Sequence, residues 1–177
     1  MQKEITLNQL MSVIDGEPSK KMLVLVDGTS RVETFLTYKG QVLDINKLSL
    51  KQKLNQVSTD ELDKEIRHRI VYHFRLGEKV AFFMDQAISL NLVEFLGQFK
   101  WFDKSTFFNM ANLLTRDYYV KHDMIKKEED KDNFGNQGFW EPKEQSRLIV
   151  VINAKPEEFD KVKLVYPDEF FEFILVK

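Results

Sequence analysis

Short apolar runs at residues 22–26, 80–84, 148–152 and 171–176 divide the chain. The first three are continuous rather than alternating, the pattern of strands buried on both faces of a parallel sheet. Residues 41–45, just after Gly40, predict a weaker strand. Residues 161–166 alternate and stop at Pro167, which predicts an edge strand. Helical spacing lies between these runs. Leu7, Leu10, Met11 and Ile14 predict a first helix ended by Asp15-Gly16. Ser30 and Glu33 have the spacing of a capping box ahead of Val32, Phe35 and Leu36, with Gly40 as C-cap. Ser58 and Glu61 repeat that spacing for a longer helix, with Leu62, Ile66, Ile70 and Phe74 on one face and Gly77 at its end. Its other face, with Asp63, Lys64, Arg67 and Arg69, reads as solvated. Residues 87–99 and 105–119 predict two more apolar-rich helices. Residues 126–145 are charged, contain glycine and lack periodicity, so they predict a loop. Loops of that length are usually functional or disordered.

Alternation of strand and helix predicts an α/β fold: a doubly wound, mostly parallel sheet with helices on both faces and right-handed crossovers. The length fits a single α/β domain over residues 1–177. A β-hairpin around Lys39-Gly40 is the competing reading of residues 31–45. Composition narrows the chemistry. The chain has no cysteine, which removes disulfides, thiolate metal sites and thiol catalysis. No run approaches the ~18 apolar residues of a membrane span, and the N-terminal residues lack the apolar stretch of a signal peptide. A cytoplasmic location is therefore expected. The net charge of −2, with both signs interleaved, predicts no general attraction to nucleic acid or to an anionic membrane.

The residues at the strand ends carry the candidate chemistry. Val26 leads into Asp27-Gly28-Thr29-Ser30-Arg31, the third strand ends at Asp85-Gln86, and the fourth ends at Asn153. This succession, with these polar residues after apolar strands, resembles the core of the P-loop NTPases, and of the AAA type in particular. The resemblance implies a phosphate loop at 27–31, a magnesium-holding Asp at Asp85, a catalytic base at the position of Gln86 and a γ-phosphate sensor at Asn153. The parts are incomplete. The loop lacks a second glycine and the lysine, Asp27 repels phosphate, and the amide of Gln86 takes no proton from water. The helical lid domain that follows the AAA core is also missing from the sequence. What is implied is a degenerate nucleotide-binding-like domain that binds no cofactor. Such domains serve in cytoskeletal, motor or ciliary assemblies.

Asp130, Asp132, Gly135 and Glu141 fall at positions one, three, six and twelve of a calcium loop. Phe134 stands where an oxygen ligand belongs, and Pro142 removes the exiting helix, so an acidic surface loop is the stronger reading. His68, His73 and His122 read as surface residues with no convergent metal ligands. No Gly-x-Ser-x-Gly elbow supports acyl transfer. Trp101 and Phe102 lie in a turn between helices, and Phe134, Phe139 and Trp140 lie in the long loop. These five are the candidate contact residues of a protein interface; the other readings are that Trp101 and Phe102 fill the core edge and that Phe134, Phe139 and Trp140 pack back onto the domain.

The expected function is that of a non-catalytic interaction or scaffold module docking to other proteins. The alternative is a nucleotide- or small-ligand-binding enzyme of another doubly wound family. Its ligand would lie near Asp27, Thr29, Ser30, Arg31, Asp85 and Asn153. A third reading has Arg31 or Arg147 completing a neighbour's active site.

Overall fold

The computed structural model describes residues 3–16, 21–38, 41–85, 90–166 and 168–177. The chain begins with β1 (Lys3–Ile5), α1 (Leu10–Ile14), β2 (Met22–Asp27) and α2 (Val32–Thr37). It continues through β3 (Gln41–Asp44), α3 (Ile45–Lys53), α4 (Thr59–Leu76) and β4 (Lys79–Asp85). Three short helices follow: α5 (Leu92–Leu96), α6 (Met110–Leu113) and α7 (Arg116–Lys121). The chain closes with β5 (Arg147–Asn153), α8 (Phe159–Val165) and β6 (Phe171–Val176).

The strands form one all-parallel sheet in the order β1-β6-β2-β5-β4-β3. Connections from β1 to β2 and from β2 to β3 step one way along it. Every later connection steps back. Right-handed crossovers then place the first two helices on one face and the rest on the other. The core divides accordingly. Leu10, Ile14, Val32 and Leu36 of α1 and α2 pack on Leu25, Phe83 and Val151. Leu48, Ile66, Phe74, Leu92 and Val162 pack on Val24, Phe82 and Val150 of the opposite face. The doubly wound α/β fold expected from the sequence is the fold observed, and the central strands are buried on both sides.

Several local expectations are corrected. Residues 161–165 are helical in α8 and Tyr166 caps it, because Val162 and Tyr166 are buried while Leu164 is exposed. Burial at i and i+4 overrides the two-residue alternation. The region 105–119 is two helices, not one. The Asn109 side chain accepts from Ala111 N at 3.0 Å and starts α6, and a new helix starts after Thr115. Such side chains compete with continuous helix. Helix α3 was not foreseen; Asp44 caps it by accepting from Lys47 N at 2.9 Å. The edge strand β1 was not foreseen either. The hairpin alternative for 31–45 is replaced by α2 and β3, while Lys39 and Gly40 lie outside the described residues, as do Gln86, residues 87–89 and Pro167. The Ser58–Glu61 capping box forms as expected, and Gly77 ends α4 at φ 80°. Arg67 does not belong to a solvated face: it is buried.

Candidate functional site

Two places carry the sequence candidates. The first is the carboxyl edge of the sheet. There β2 and β5 are neighbours whose outgoing connections run in opposite directions, the switch point where open α/β sheets bind ligands. Asp27 pairs in register with Asn153, and Asn153 with Asp85, so the three lie in one row. Asn153 Nδ2 donates to Asp85 Oδ1 at 3.2 Å, and Ser30 Oγ donates to Asn153 Oδ1 at 3.0 Å.

The Asp27 carboxylate governs this edge. It is 1% exposed. Its Oδ1 accepts from Thr29 N at 2.8 Å and Thr29 Oγ1 at 2.6 Å, and its Oδ2 accepts from Val32 N at 2.8 Å. Arg31 N donates to Thr29 Oγ1 at 3.1 Å. The capping expected of Ser30 and Glu33 is thus supplied by Asp27, and Ser30 sits at φ 57° to make the turn. These amides at the start of α2 are the donors a phosphate would need. The chain's own carboxylate already holds them. The surroundings are acidic as well: partial burial, and then Asp44 and Asp85, push the Glu33 carboxyl up from its ordinary value. Arg31 is exposed at the rim. Arg147 is placed elsewhere. Its guanidinium binds the carbonyls of Glu144, Ser146 and Gly16, which makes it an anchor within its own chain.

The second place is the segment 126–145. It is irregular but tightly pinned. At its base Arg67 of α4 grips Glu129 with both terminal nitrogens and donates to Met124 O at 2.7 Å. His68 Nδ1 lies 2.8 Å from Glu129 Oε1, and Lys126 N donates to Oε2 at 3.1 Å. Burial pushes the Glu129 carboxyl up, but these hydrogen bonds together outweigh it and hold the group below its ordinary value. Arg116 of α7 forks onto Asp130 at 2.6 and 2.9 Å and also donates to Trp140 O at 3.0 Å. The Arg116 bonds are the main reason Asp130 is held below the ordinary carboxylate range. Asp132 Oδ1 accepts from Phe134 N and Asn136 N, both at 2.8 Å, and its Oδ2 accepts from Asn136 Nδ2 at 2.7 Å. Lys131 and Gln137 close this turn as an antiparallel bridge.

That bonding does not assemble the ligand set of a calcium loop among the described residues. Asp130 is spent on arginine and Asp132 on its own turn, while Glu141 is left exposed. Among the described residues no group of three or more His, Asp or Glu is placed to hold a metal ion.

The five aromatic candidates separate. Trp140 is 0% exposed; its Nε1 donates to Val71 O at 3.0 Å, and its ring lies 4.5 Å from that of Tyr119. Trp101 is buried, stacked on Phe99 at 5.5 Å, and Phe102 is half-buried against the same core. Both tryptophans are therefore core residues and not contact residues. Phe134 and Phe139 are 91% and 66% exposed. Gly135 and Gly138 between them take φ 86° and 84°, and nothing lies within 4 Å of where a Cβ would be. The loop is a firmly based projection carrying two unpacked phenyl rings.

Sequence reasoning missed the arginine anchors and the helix face beneath the loop. His68 is half in solvent but engaged with Glu129, and His73 and His122 are half-buried rather than on the surface. The signal available was the spacing of His68, Val71, Tyr72 and Arg75, one stripe of α4 that the solvated-face reading passed over. No helix among the described residues is long and apolar enough to cross a membrane. No protein-family profile, curated protein or solved structure gives a match to this chain.

Proposed function

We propose that this chain is a non-catalytic protein-interaction module that docks through the tip of its 126–145 loop. The observation that carries the reading is Phe134 at 91% exposure on a loop whose base is fixed by Arg67, Arg116 and the buried Trp140. Large apolar groups left in water on a rigid support are what interface anchors require, because little ordering entropy remains to be lost on binding. The tip from Asn133 to Phe139 holds no charged residue in a chain that is 31% charged. Interface cores are depleted of charge in the same way. The module is a degenerate relative of nucleotide-binding doubly wound domains, placed within a larger cytoplasmic assembly of cytoskeletal or ciliary type.

A photo-reactive phenylalanine analogue at position 134 tests the docking. In cells expressing the chain it is expected to give discrete protein adducts, while the same group at the exposed Leu164 gives none above background. Equal labelling at both positions refutes the reading.

The second reading, a ligand enzyme at the carboxyl edge, rests on the switch-point location alone. The occupied amides and the acidic rim count against it. Its test is thermal unfolding with Mg–ATP, Mg–GTP or calcium. A ligand at a hundred times its Kd adds about 2.7 kcal/mol, or roughly 5–11 °C for a domain of this size. No shift is expected with any of the three; a shift with a nucleotide replaces the docking reading by the enzymatic one.

A further inference from the structure

Helix α3 turns an unusual face to solvent. Its inner side is spent on the core, where Ile45, Leu48 and Ser49 are buried. Its outer side leaves Leu50 56% and Leu54 57% exposed, one turn apart. On a helix of about 3.6 residues per turn, Lys47 and Lys51 fall on one side of this leucine ridge and Lys53 on the other. All three lysines are exposed, and none makes an ion pair among the described residues. No acid occurs between Asp44 and Asp60. Asp44 caps α3, Glu61 is tied to Ser58 N at 2.8 Å, and Asp60 stands in the first turn of α4. Lys51 and Lys53 suit the carboxyl end of their helix, but Lys47 lies in the first turn, where the helix dipole disfavours a cation. The support is firm. Asn55 turns the chain at φ 54°, Gln56 N donates to Lys51 O at 2.9 Å, and Gln52 Nε2 donates to Thr59 Oγ1 at 3.0 Å and to Gln98 Oε1 at 2.6 Å.

We propose that this face of α3 docks an acidic amphipathic helix of a partner protein. Apolar side chains of that helix pack on the Leu50–Leu54 ridge, and its carboxylates meet Lys47, Lys51 and Lys53. The inference uses other residues than the 126–145 loop and does not rest on the docking of that loop. Charge complementarity selects the partner. Unpaired lysines on both sides of an apolar ridge steer an acidic surface in and fix its orientation. Leucines one turn apart form a ridge of the kind that enters the groove of a second helix. A second copy of α3 is excluded, because it would bring lysine against lysine. An anionic membrane is the poorer match: recognition of acidic lipid takes clusters of about 4–8 basic residues, and α3 has three lysines in a chain of net charge −2.

Fluorescence anisotropy with the full chain and two labelled peptides of about 20 residues tests the docking. One peptide carries leucines at helical spacing with glutamates on either side of them. The other has lysines in place of the glutamates. The native chain is expected to bind the acidic peptide, more weakly as salt is added, and to leave the basic one free. K47Q/K51Q/K53Q is expected to raise the Kd about ten-fold or more, the joint effect of three ion pairs at an interface rim. L50S is expected to raise it about five-fold through lost apolar burial. The charge-reversed K47E/K51E/K53E chain is the decisive arm: it should release the acidic peptide and take up the basic one. F134S should bind as the native chain does, since the loop tip is not part of this face. Native far-UV circular dichroism in every variant excludes misfolding. The inference is overturned if the native chain ignores the acidic peptide, if binding survives the lysine substitutions, if the reversed chain fails to switch peptides, or if F134S weakens binding. Vesicles of phosphatidylserine and phosphatidylcholine form the last arm. Binding to these vesicles without binding to the acidic peptide makes the occupant a membrane and also overturns it.

Discussion

Glu129→Ala lowers the unfolding free energy by about 3–5 kcal/mol, the usual cost of stranding one partner of a buried ion pair. The reason is Arg67. Its side chain is 5% exposed, and without Glu129 its guanidinium keeps only the Met124 carbonyl as an acceptor among the described residues. Glu129 also takes His68 and the Lys126 amide, so the base of the loop loosens with the pair. Urea unfolding measures the loss. A drop below about 1 kcal/mol would show that the pair behaves as an exposed one. The double variant R67M/E129A should be more stable than E129A alone, since it removes the stranded charge.

The same pair gives a pH dependence of definite sign. Folding holds the Glu129 carboxyl below its ordinary value near 4.5. A lowered acid contributes stability that is present above its unfolded pKa and lost as pH falls through its folded one. The native chain should therefore lose part of its stability as pH falls below about 4.5, and E129A should show a shallower acid loss. Parallel curves for the two proteins below that pH would falsify the assignment.

Trp140→Ala is expected to cost about 3–5 kcal/mol, in the range for deleting a fully buried aromatic. For a domain of this size that corresponds to roughly 6–20 °C in Tm. Three losses combine: the packing against Tyr119, the Nε1 bond to Val71 O, and the plug that joins the loop to α4. Trp140→Phe separates them. It keeps most of the apolar volume and loses the hydrogen bond, so it should cost about 1 kcal/mol more than a neutral change. Calorimetry of both variants checks the order. Similar losses for Phe and Ala would mean that the hydrogen bond, and not the buried ring, holds the loop.

Much of the fold was legible because burial leaves a local trace. Strands covered on both faces need continuous apolar runs, and β2, β4 and β5 have them. Helix α4 carries its own start and stop in Ser58, Glu61 and Gly77. Its neighbours were harder. The alternation at 161–166 is shared by an edge strand and by a helix burying Val162 and Tyr166, and only the sheet it packs on distinguishes them. Helices α5 to α7 are short and interrupted by caps, so no long period exists to read.

The candidate site divides along the same line. That Asp27 follows an apolar strand and begins a polar turn could be read from residue types alone. That its two oxygens take the Thr29 and Val32 amides depends on the turn made by Ser30. The aromatic candidates needed the tertiary structure most. Trp101, Trp140, Phe134 and Phe139 look alike along the chain, in turns or loops with no period to assign a face. The sequence by itself determined the central strands and the doubly wound α/β class, because those depend on residue types at local spacing. Only the tertiary structure decided which rings are core and which meet solvent, because that depends on contacts distant in sequence: Arg67 with Glu129, Arg116 with Asp130, and Trp140 with Val71.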